Sequence, residues 1–60
     1  MRRYVVQYGD SRWSIIAAAI LSSSFPPSAV GAYADALATL NATVYDWTAL
    51  TPGTILALPA

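Results

Sequence analysis

The sequence predicts a small α+β domain of 60 residues in which a strand, two helices and a second strand follow one another, β-α-α-β. Three observations predict this order. The stretch "RYVVQY" alternates like a strand, two alanine-rich segments have helical spacing, and "TILAL" before Pro59 is typical of a second strand. Strands so far apart in sequence most simply pair antiparallel, with both helices packed on one face of the sheet. We expect one domain, residues 1–60, with its core between residues 3 and 59.

The first strand and its turn open the chain. A period of two puts one set of residues on one face and the alternate set on the other: Tyr4, Val6 and Tyr8 against Arg3, Val5 and Gln7. Gly9-Asp10-Ser11 ends the strand, and Asp10 or Ser11 can cap the first helix, because either side chain accepts hydrogen bonds from free N–H groups.

The two helices are separated by "SSSFPPSAVG", in which the prolines cannot continue a helix. The first helix is predicted from about Arg12 to Leu21 or Ser22. The second is predicted from about Ala29 to Leu40, capped by Ser28, with one apolar face made of Val30, Tyr33, Leu37 and Leu40. Asn41 suits the helix end because it tolerates the left-handed conformation. The loop "VYDWTALTPG" then leads into the second strand.

Composition excludes several function classes. The chain has no cysteine and no histidine, which rules out disulfides and zinc sites built from those residues. Three arginines balance three aspartates, so no basic footprint for nucleic acid exists. The aspartates are scattered, and no acid/base pair, nucleophile triad or metal cluster is visible. We therefore expect no enzyme, no cofactor and no metal.

Charge is scarce and apolar residues are abundant. Charged residues make up 10% of the chain and hydrophobic residues 57%, against roughly 25% charged in an ordinary soluble domain. A small domain with zero net charge and an apolar surface tends to associate with other proteins. The longest apolar run, Ile15 to Leu21, is too short to span a membrane. Polar residues between the first arginines and this run disfavour a signal peptide, so we expect an unprocessed chain made in a cytoplasm and used from Met1.

Three motifs in order resemble the LysM domain. "YVVQYGDSRWSI" is similar to the family's strand, Gly-Asp-Thr/Ser turn and Trp-Ser-Ile helix start. "ALATLN" is similar to the leucine-asparagine end of its second helix, and "LTPGTILALP" to its Pro-Gly turn, last strand and closing proline. The resemblance implies a two-stranded antiparallel sheet with two helices on one face. It also implies binding of N-acetylglucosamine polymers in a groove between the first turn and the last loop, at Gly9, Asp10, Ser11, Arg12, Leu50, Thr51 and Pro52.

The chain departs from the family on its exterior. Arg12 stands where a leucine is usual, and the link between the helices is longer. If Leu56 and Leu58 face the helices, apolar residues lie outward where the family often has polar ones. We predict protein contacts at Val5, Ile55, Ala57, Ala17, Ala18, Tyr45 and Trp47. Trp13 is expected to be mainly core, whereas Tyr45 and Trp47 could each be a core lid, an interface anchor or a sugar-stacking ring.

Two functions follow as expectations. The first is a structural LysM-like part of a phage tail or contractile-injection baseplate or hub, resembling the tail protein X type, located in the virion and bound to other tail or baseplate proteins. The alternative is a peptidoglycan-binding module for cell-wall attachment or lysis. A small cytoplasmic regulator or toxin-antitoxin partner has only the size of the chain in its favour.

Overall fold

A computed structural model describes residues 2–60 and has the predicted β-α-α-β order. The elements are β1 (Arg3–Val5), α1 (Arg12–Ala19) continued by a 3₁₀ turn (Ile20–Ser22), α2 (Val30–Leu40) and β2 (Ile55–Ala57). The two strands form an antiparallel sheet in which Arg3 lies opposite Ala57, Tyr4 opposite Leu56 and Val5 opposite Ile55. The predicted α+β fold is thus confirmed, with strands shorter than the alternating patterns suggested.

The first strand is short because a tight turn follows it at once. The N–H of Asp10 donates to the Gln7 carbonyl at 3.0 Å, and Gly9 has a φ of +84°, which favours glycine at the third position of such a turn. Tyr8 is therefore a turn residue, almost fully exposed. The prediction that Tyr8 shares a strand face with Tyr4 and Val6 is wrong.

Ser11 is the residue that caps α1. Its side chain accepts from the Ser14 N–H, and the Ser14 hydroxyl accepts in return from the Ser11 N–H, at 3.2 and 2.9 Å. The helix buries Ile15, Ile16 and Ala19 and leaves its other side exposed. Ile15, Ile16 and Ala19 therefore form the inward face of α1.

The second helix begins differently from the prediction. Ala29, not Ser28, occupies the cap position, and no side chain caps the helix. The reason is a turn in the proline segment, where the Ala29 N–H donates to the Pro26 carbonyl at 2.9 Å; Ser28 lies inside that turn. Tyr33 and Leu37 are fully buried, but Leu40, the last helical residue, is 41% exposed and falls outside the predicted face.

Asn41 ends α2, though not in the left-handed conformation, since its φ is −121°. Its side chain is buried. The amide nitrogen Nδ2 donates to the carbonyls of Leu37 and Ala57 at 2.8 and 2.9 Å, and Oδ1 accepts from the Ala57 N–H at 2.8 Å. One side chain thus joins the end of the helix to β2.

The core lies between the sheet and the two helices. Phe25, from the proline segment, packs against it and meets Tyr33 edge to face, with ring centroids 5.1 Å apart. The Tyr33 hydroxyl is buried without a hydrogen-bond partner among residues 2–60. The buried apolar residues are Val6, Ile15, Ile16, Ala19, Ile20, Tyr33, Ala34, Leu37, Leu56 and Leu58. None of the helices formed by residues 2–60 has the length and apolar character needed to cross a bilayer.

Candidate functional site

The outer face of the sheet carries an exposed apolar pair. Val5 and Ile55 lie directly opposite each other in the ladder, and they are 48% and 59% exposed. Ala57, predicted to be the third member of this face, is only partly exposed, and its N–H and carbonyl are both bonded to Asn41. The outer face is therefore smaller than predicted and centred on Val5 and Ile55. We call these two residues the outer pair.

The predicted partner residues on α1 belong to a different surface. Ala17 and Ala18 are exposed, as predicted, and neighbouring Leu21 is 74% exposed. Since α1 turns Ile15 and Ile16 towards the core, its exposed side points away from the sheet. The structure therefore does not bring Ala17 and Ala18 together with the outer pair.

The loop between α2 and β2 holds the remaining predicted partner residues. Tyr45 is 96% exposed, which excludes it as a lid on the core. Trp47 is half-buried and packs against the core. Its remaining surface lines a cleft, so Trp47 has a structural role and an accessible ring at once.

That cleft, of about 280 Å³, joins the start of α1 to the α2–β2 loop. Its walls include Trp13, which is 54% exposed rather than mainly core as expected. The Arg12 guanidinium carbon lies 4.8 Å from the centroid of the Trp13 ring, within the range of a cation–π contact. Arg12 Nε is buried and has no hydrogen-bond partner within residues 2–60. We call this the tryptophan cleft; its lining is Ser11, Arg12, Trp13, Trp47 and Thr48.

A second cleft, of about 310 Å³, lies within the α2–β2 loop itself and includes Tyr45, Asp46, Leu50 and Thr51 in its lining. The residues predicted for a glycan groove are divided by the structure. Ser11 and Arg12 line the tryptophan cleft, Leu50 and Thr51 line this loop cleft, and three others line neither: Gly9, Asp10 and Pro52.

Asp10, which lines neither cleft, has a structural role. Its carboxylate accepts from the Tyr4 hydroxyl, the Gln7 N–H and the Ser14 hydroxyl at 2.6, 2.8 and 2.8 Å. These bonds, the one from Tyr4 foremost, hold the pKa of Asp10 below its ordinary value, and the same contact raises the pKa of Tyr4. The carboxylate therefore braces the turn between β1 and α1.

Pro52 also belongs to a turn. The Thr54 N–H donates to the Thr51 carbonyl at 3.1 Å, and Gly53 has a φ of +90°. Proline followed by glycine with positive φ is the pattern of a type II turn. The Gly53 N–H then donates to the Val6 carbonyl at 2.8 Å, which aligns the start of β2 with β1.

Sequence reasoning missed the pairing of Trp13 with Trp47 across one cleft. The signal was present, because Trp13 follows the turn and Trp47 lies in the last loop, the two segments that the LysM resemblance places side by side. Comparison of the chain with protein-family models, with curated proteins and with solved structures gives no match. The functional argument therefore depends on the fold and on these surfaces.

Proposed function

We propose that this chain is a LysM-like domain that serves as a structural component of a phage tail or contractile-injection baseplate or hub, bound to neighbouring subunits by protein contacts. The observation that carries the proposal is the exposed outer pair, Val5 and Ile55. A two-layer domain standing alone ordinarily has a polar outer sheet face. An apolar one, on a chain of zero net charge, is suited to burial against another protein.

The size of the domain supports the same function. A chain of 60 residues buries too little surface to be more than marginally stable. A standard interface of ~800 Å² per partner would cover about a fifth of its 3841 Å² surface. Buried apolar area contributes about 25 cal/mol per Å², and binding to the folded form alone stabilises it further. Assembly would thus supply stability that the isolated chain lacks.

The role proposed is passive and non-enzymatic, and its place is the virion, after synthesis in the host cytoplasm. The resemblance to LysM-like tail proteins supports this placement only by analogy, because a fold by itself does not define a function. Genes for tail tube, sheath or baseplate on either side of the coding gene would add support, whereas a neighbourhood of wall hydrolases would favour the alternative.

The direct test is incorporation into particles. Val5→Lys and Ile55→Lys should fold, because both positions are exposed, yet be depleted from purified tails, as quantified by mass spectrometry against a tail-tube protein. Thr39→Lys is the matched control, since Thr39 is exposed on α2, and it should be incorporated normally. Normal incorporation of both sheet-face variants would refute binding through the outer pair.

The tryptophan cleft favours a second candidate function, binding of peptidoglycan glycan. Two aromatic rings beside the polar groups of Ser11, Arg12 and Thr48 match the usual make-up of a small-molecule site, apolar walls with a few polar groups. Wild-type protein should then sediment with purified sacculi, and Trp47→Ala and Arg12→Ala should sediment less. Thr51→Ala reports whether the loop cleft takes part, and Tyr45→Ala is the exposed-aromatic control. Absence of sedimentation of wild type at high protein concentration would exclude this candidate.

A further inference from the structure

The two edges of the sheet are not equivalent. The Arg2 carbonyl accepts from the Leu58 N–H at 2.8 Å, and the Val6 N–H donates to the Thr54 carbonyl at 2.9 Å. In an antiparallel ladder the residues that bond to the partner strand alternate with residues whose N–H and C=O groups point the other way. The main-chain groups of Arg3 and Val5 therefore point away from β2, and those of Ile55 and Ala57 point away from β1.

The β2 edge is closed at Ala57 by the chain itself. The side-chain amide of Asn41 both donates to the Ala57 carbonyl and accepts from its N–H, at 2.9 and 2.8 Å. This is the pair of bonds that a neighbouring strand would make. Asn41 is buried and also bonded to Leu37, so an incoming strand cannot displace it without disrupting the end of α2.

The β1 edge is open by comparison. The bond recorded there in residues 2–60 runs from Gln7 Nε2 to the Val5 carbonyl at 3.1 Å, and Gln7 is exposed. A single bond from a solvent-exposed amide is readily exchanged for one from another chain. Within residues 2–60 the Arg3 and Val5 N–H groups on this edge have no acceptor, and an edge strand with unpaired N–H groups can recruit a further strand.

We propose that the β1 edge receives an extended segment of a partner subunit as a third strand, through backbone hydrogen bonds to Arg3 and Val5. This inference rests on the proposed function and specifies how the partner binds. Val5, one residue of the outer pair, lies on this edge strand, so the added strand would place its outward side chains next to Val5.

The arginines of this chain indicate which side chains the partner segment should carry. Arg2 donates to the carbonyl and hydroxyl of Ser22, both at 2.6 Å, and Arg12 lies over Trp13. Arg3, exposed at the open edge, is the arginine left to meet a partner. Opposite charges on neighbouring strands stabilise a sheet. The partner segment is therefore extended, with an acidic side chain facing Arg3 and an apolar one beside Val5.

A second copy of this chain fits the edge poorly. Antiparallel pairing of two β1 strands about Tyr4 would set each Arg3 across from the other copy's Val5, with the two arginines on one face and no acidic residue beside them. The nearest acid in sequence, Asp10, is already bonded to Tyr4, Gln7 and Ser14. A three-residue edge is also far from the ~800 Å² per partner of a stable interface, so a larger partner must contribute contacts beyond the strand.

A matched pair of proline variants tests the edge. Val5→Pro and Ile55→Pro each remove an N–H that points away from the sheet, where proline is tolerated. Val5→Pro should lower incorporation into particles by about tenfold, because it removes one backbone hydrogen bond to the added strand and the proline ring also blocks the approach of that strand. Ile55→Pro trims the outer pair in the same way but removes an N–H from the β2 edge, so it should be depleted clearly less than Val5→Pro. Equal incorporation of the two would overturn the inference.

Two further experiments test the charge of the partner segment and the possibility that the chain binds a second copy of itself. Arg3→Glu should reduce incorporation into particles, and Arg3→Lys should retain it. If both variants are incorporated like wild type, the inference of an acidic side chain facing Arg3 is wrong. Sedimentation of the free protein should show monomers. A dimer that Val5→Pro abolishes and Ile55→Pro preserves would assign the edge to a second copy instead.

Hydrogen exchange of wild-type protein makes the test independent of how the variants fold. Residues 2–8 should exchange more slowly in particles than in the free protein, and this slowing should exceed that of residues 53–58, whose main chain gains no strand partner. Unchanged exchange of residues 2–8 would refute the added strand. If Val5→Lys and Ile55→Lys enter particles normally, the proposed function itself fails. If both lysine variants are excluded but Val5→Pro and Ile55→Pro are incorporated to the same extent, only the inference about the β1 edge fails.

Discussion

Both faces of the sheet carry aliphatic side chains, but in opposite surroundings. On the inner face Val6 and Leu56 are 2% and 1% exposed, whereas on the outer face Val5 and Ile55 are 48% and 59% exposed. Of these residues, Val5 and Ile55 lie directly opposite each other in the ladder, while Leu56 lies opposite Tyr4. The difference shows that hydrophobicity alone does not identify the core of this protein. The period of the strand assigns the faces, and the two helices then cover one of them.

The comparison separates stability from association. Apolar area on the inner face already contributes to folding, while apolar area on the outer face contributes only when a partner covers it. Substitutions on the inner face should therefore lower the free energy of unfolding of the isolated protein. Substitutions on the outer face should leave it nearly unchanged and act on assembly.

The largest effect is expected at Leu56. Leu56→Ala should lower the free energy of unfolding by about 2–5 kcal/mol, because it removes buried methyl groups and leaves a cavity. Such a loss is comparable to the whole stability of a domain this small, roughly 3–5 kcal/mol. Ile55→Ala is the matched control and should lose less than about 1 kcal/mol. Urea unfolding, monitored by tryptophan fluorescence, measures the free energy of unfolding of both variants. Equal losses of stability in the two would contradict the assignment of the inner and outer faces.

Asn41 should have the next largest effect. Asn41→Ala removes three hydrogen bonds and leaves the Ala57 N–H without its partner, and an unsatisfied buried group costs about 1–3 kcal/mol. Thr39→Ala, which loses one exposed bond to the Asp35 carbonyl, should cost much less. Thermal unfolding compares the two. Similar melting temperatures would mean that Asn41 does not close the β2 edge.

A substitution at Tyr33 should raise the free energy of unfolding, unlike those at Leu56 and Asn41. The Tyr33 hydroxyl is buried without a hydrogen-bond partner among residues 2–60, and burial raises its pKa, as expected for a poorly solvated group. Tyr33→Phe should therefore raise the free energy of unfolding by roughly 1 kcal/mol. Tyr4→Phe should lower it, because the Tyr4 hydroxyl donates to Asp10 at 2.6 Å. A loss of stability in Tyr33→Phe would show that this hydroxyl has a hydrogen-bond partner in solution.

The smallest effect on the free energy of unfolding is expected from lowering the pH. Hydrogen bonds hold the pKa of Asp10 and of Asp46 below the ordinary 3.8. A carboxyl whose pKa is lower in the folded state stabilises the fold above its unfolded pKa, and that contribution disappears as pH falls through the folded pKa. Stability should decline below pH 3.8, and Asp10→Asn should flatten the decline. Thermal melts across that range measure it; identical pH profiles for the variant and wild type would contradict the role of Asp10.

Local patterns were sufficient for the order of elements and for separating the two faces of each strand and helix. Helical spacing identified Tyr33 and Leu37 as inward, whereas the inward sense of Val6, Leu56 and Leu58 came from the register that the LysM resemblance implies. Ser28 was predicted as a cap from its residue type, but residue type does not show the turn in which the Ala29 N–H donates to the Pro26 carbonyl. The LysM-like identity and the tail or baseplate role remain proposals.

The candidate surfaces were only partly accessible to sequence reasoning. The outer pair was predicted because strand register is periodic, and its exposure is confirmed. Trp13 and Trp47 lie far apart in the chain, so only the folded structure could show that they share a cleft. Ala17 and Ala18 are exposed, as predicted, but only the structure shows that they lie on a different surface from the outer pair, because a linear pattern does not state which way the exposed side of a helix points.

By itself, the sequence determined the β-α-α-β order, the faces of each strand and helix and the shortage of charge, because these depend on residue type and on spacing within a segment. Only the tertiary structure decided that Asn41 closes one sheet edge and leaves the other open, and that two tryptophans form one cleft. Those features require contacts between residues distant in the chain, and such contacts arise only when the helices cover the sheet.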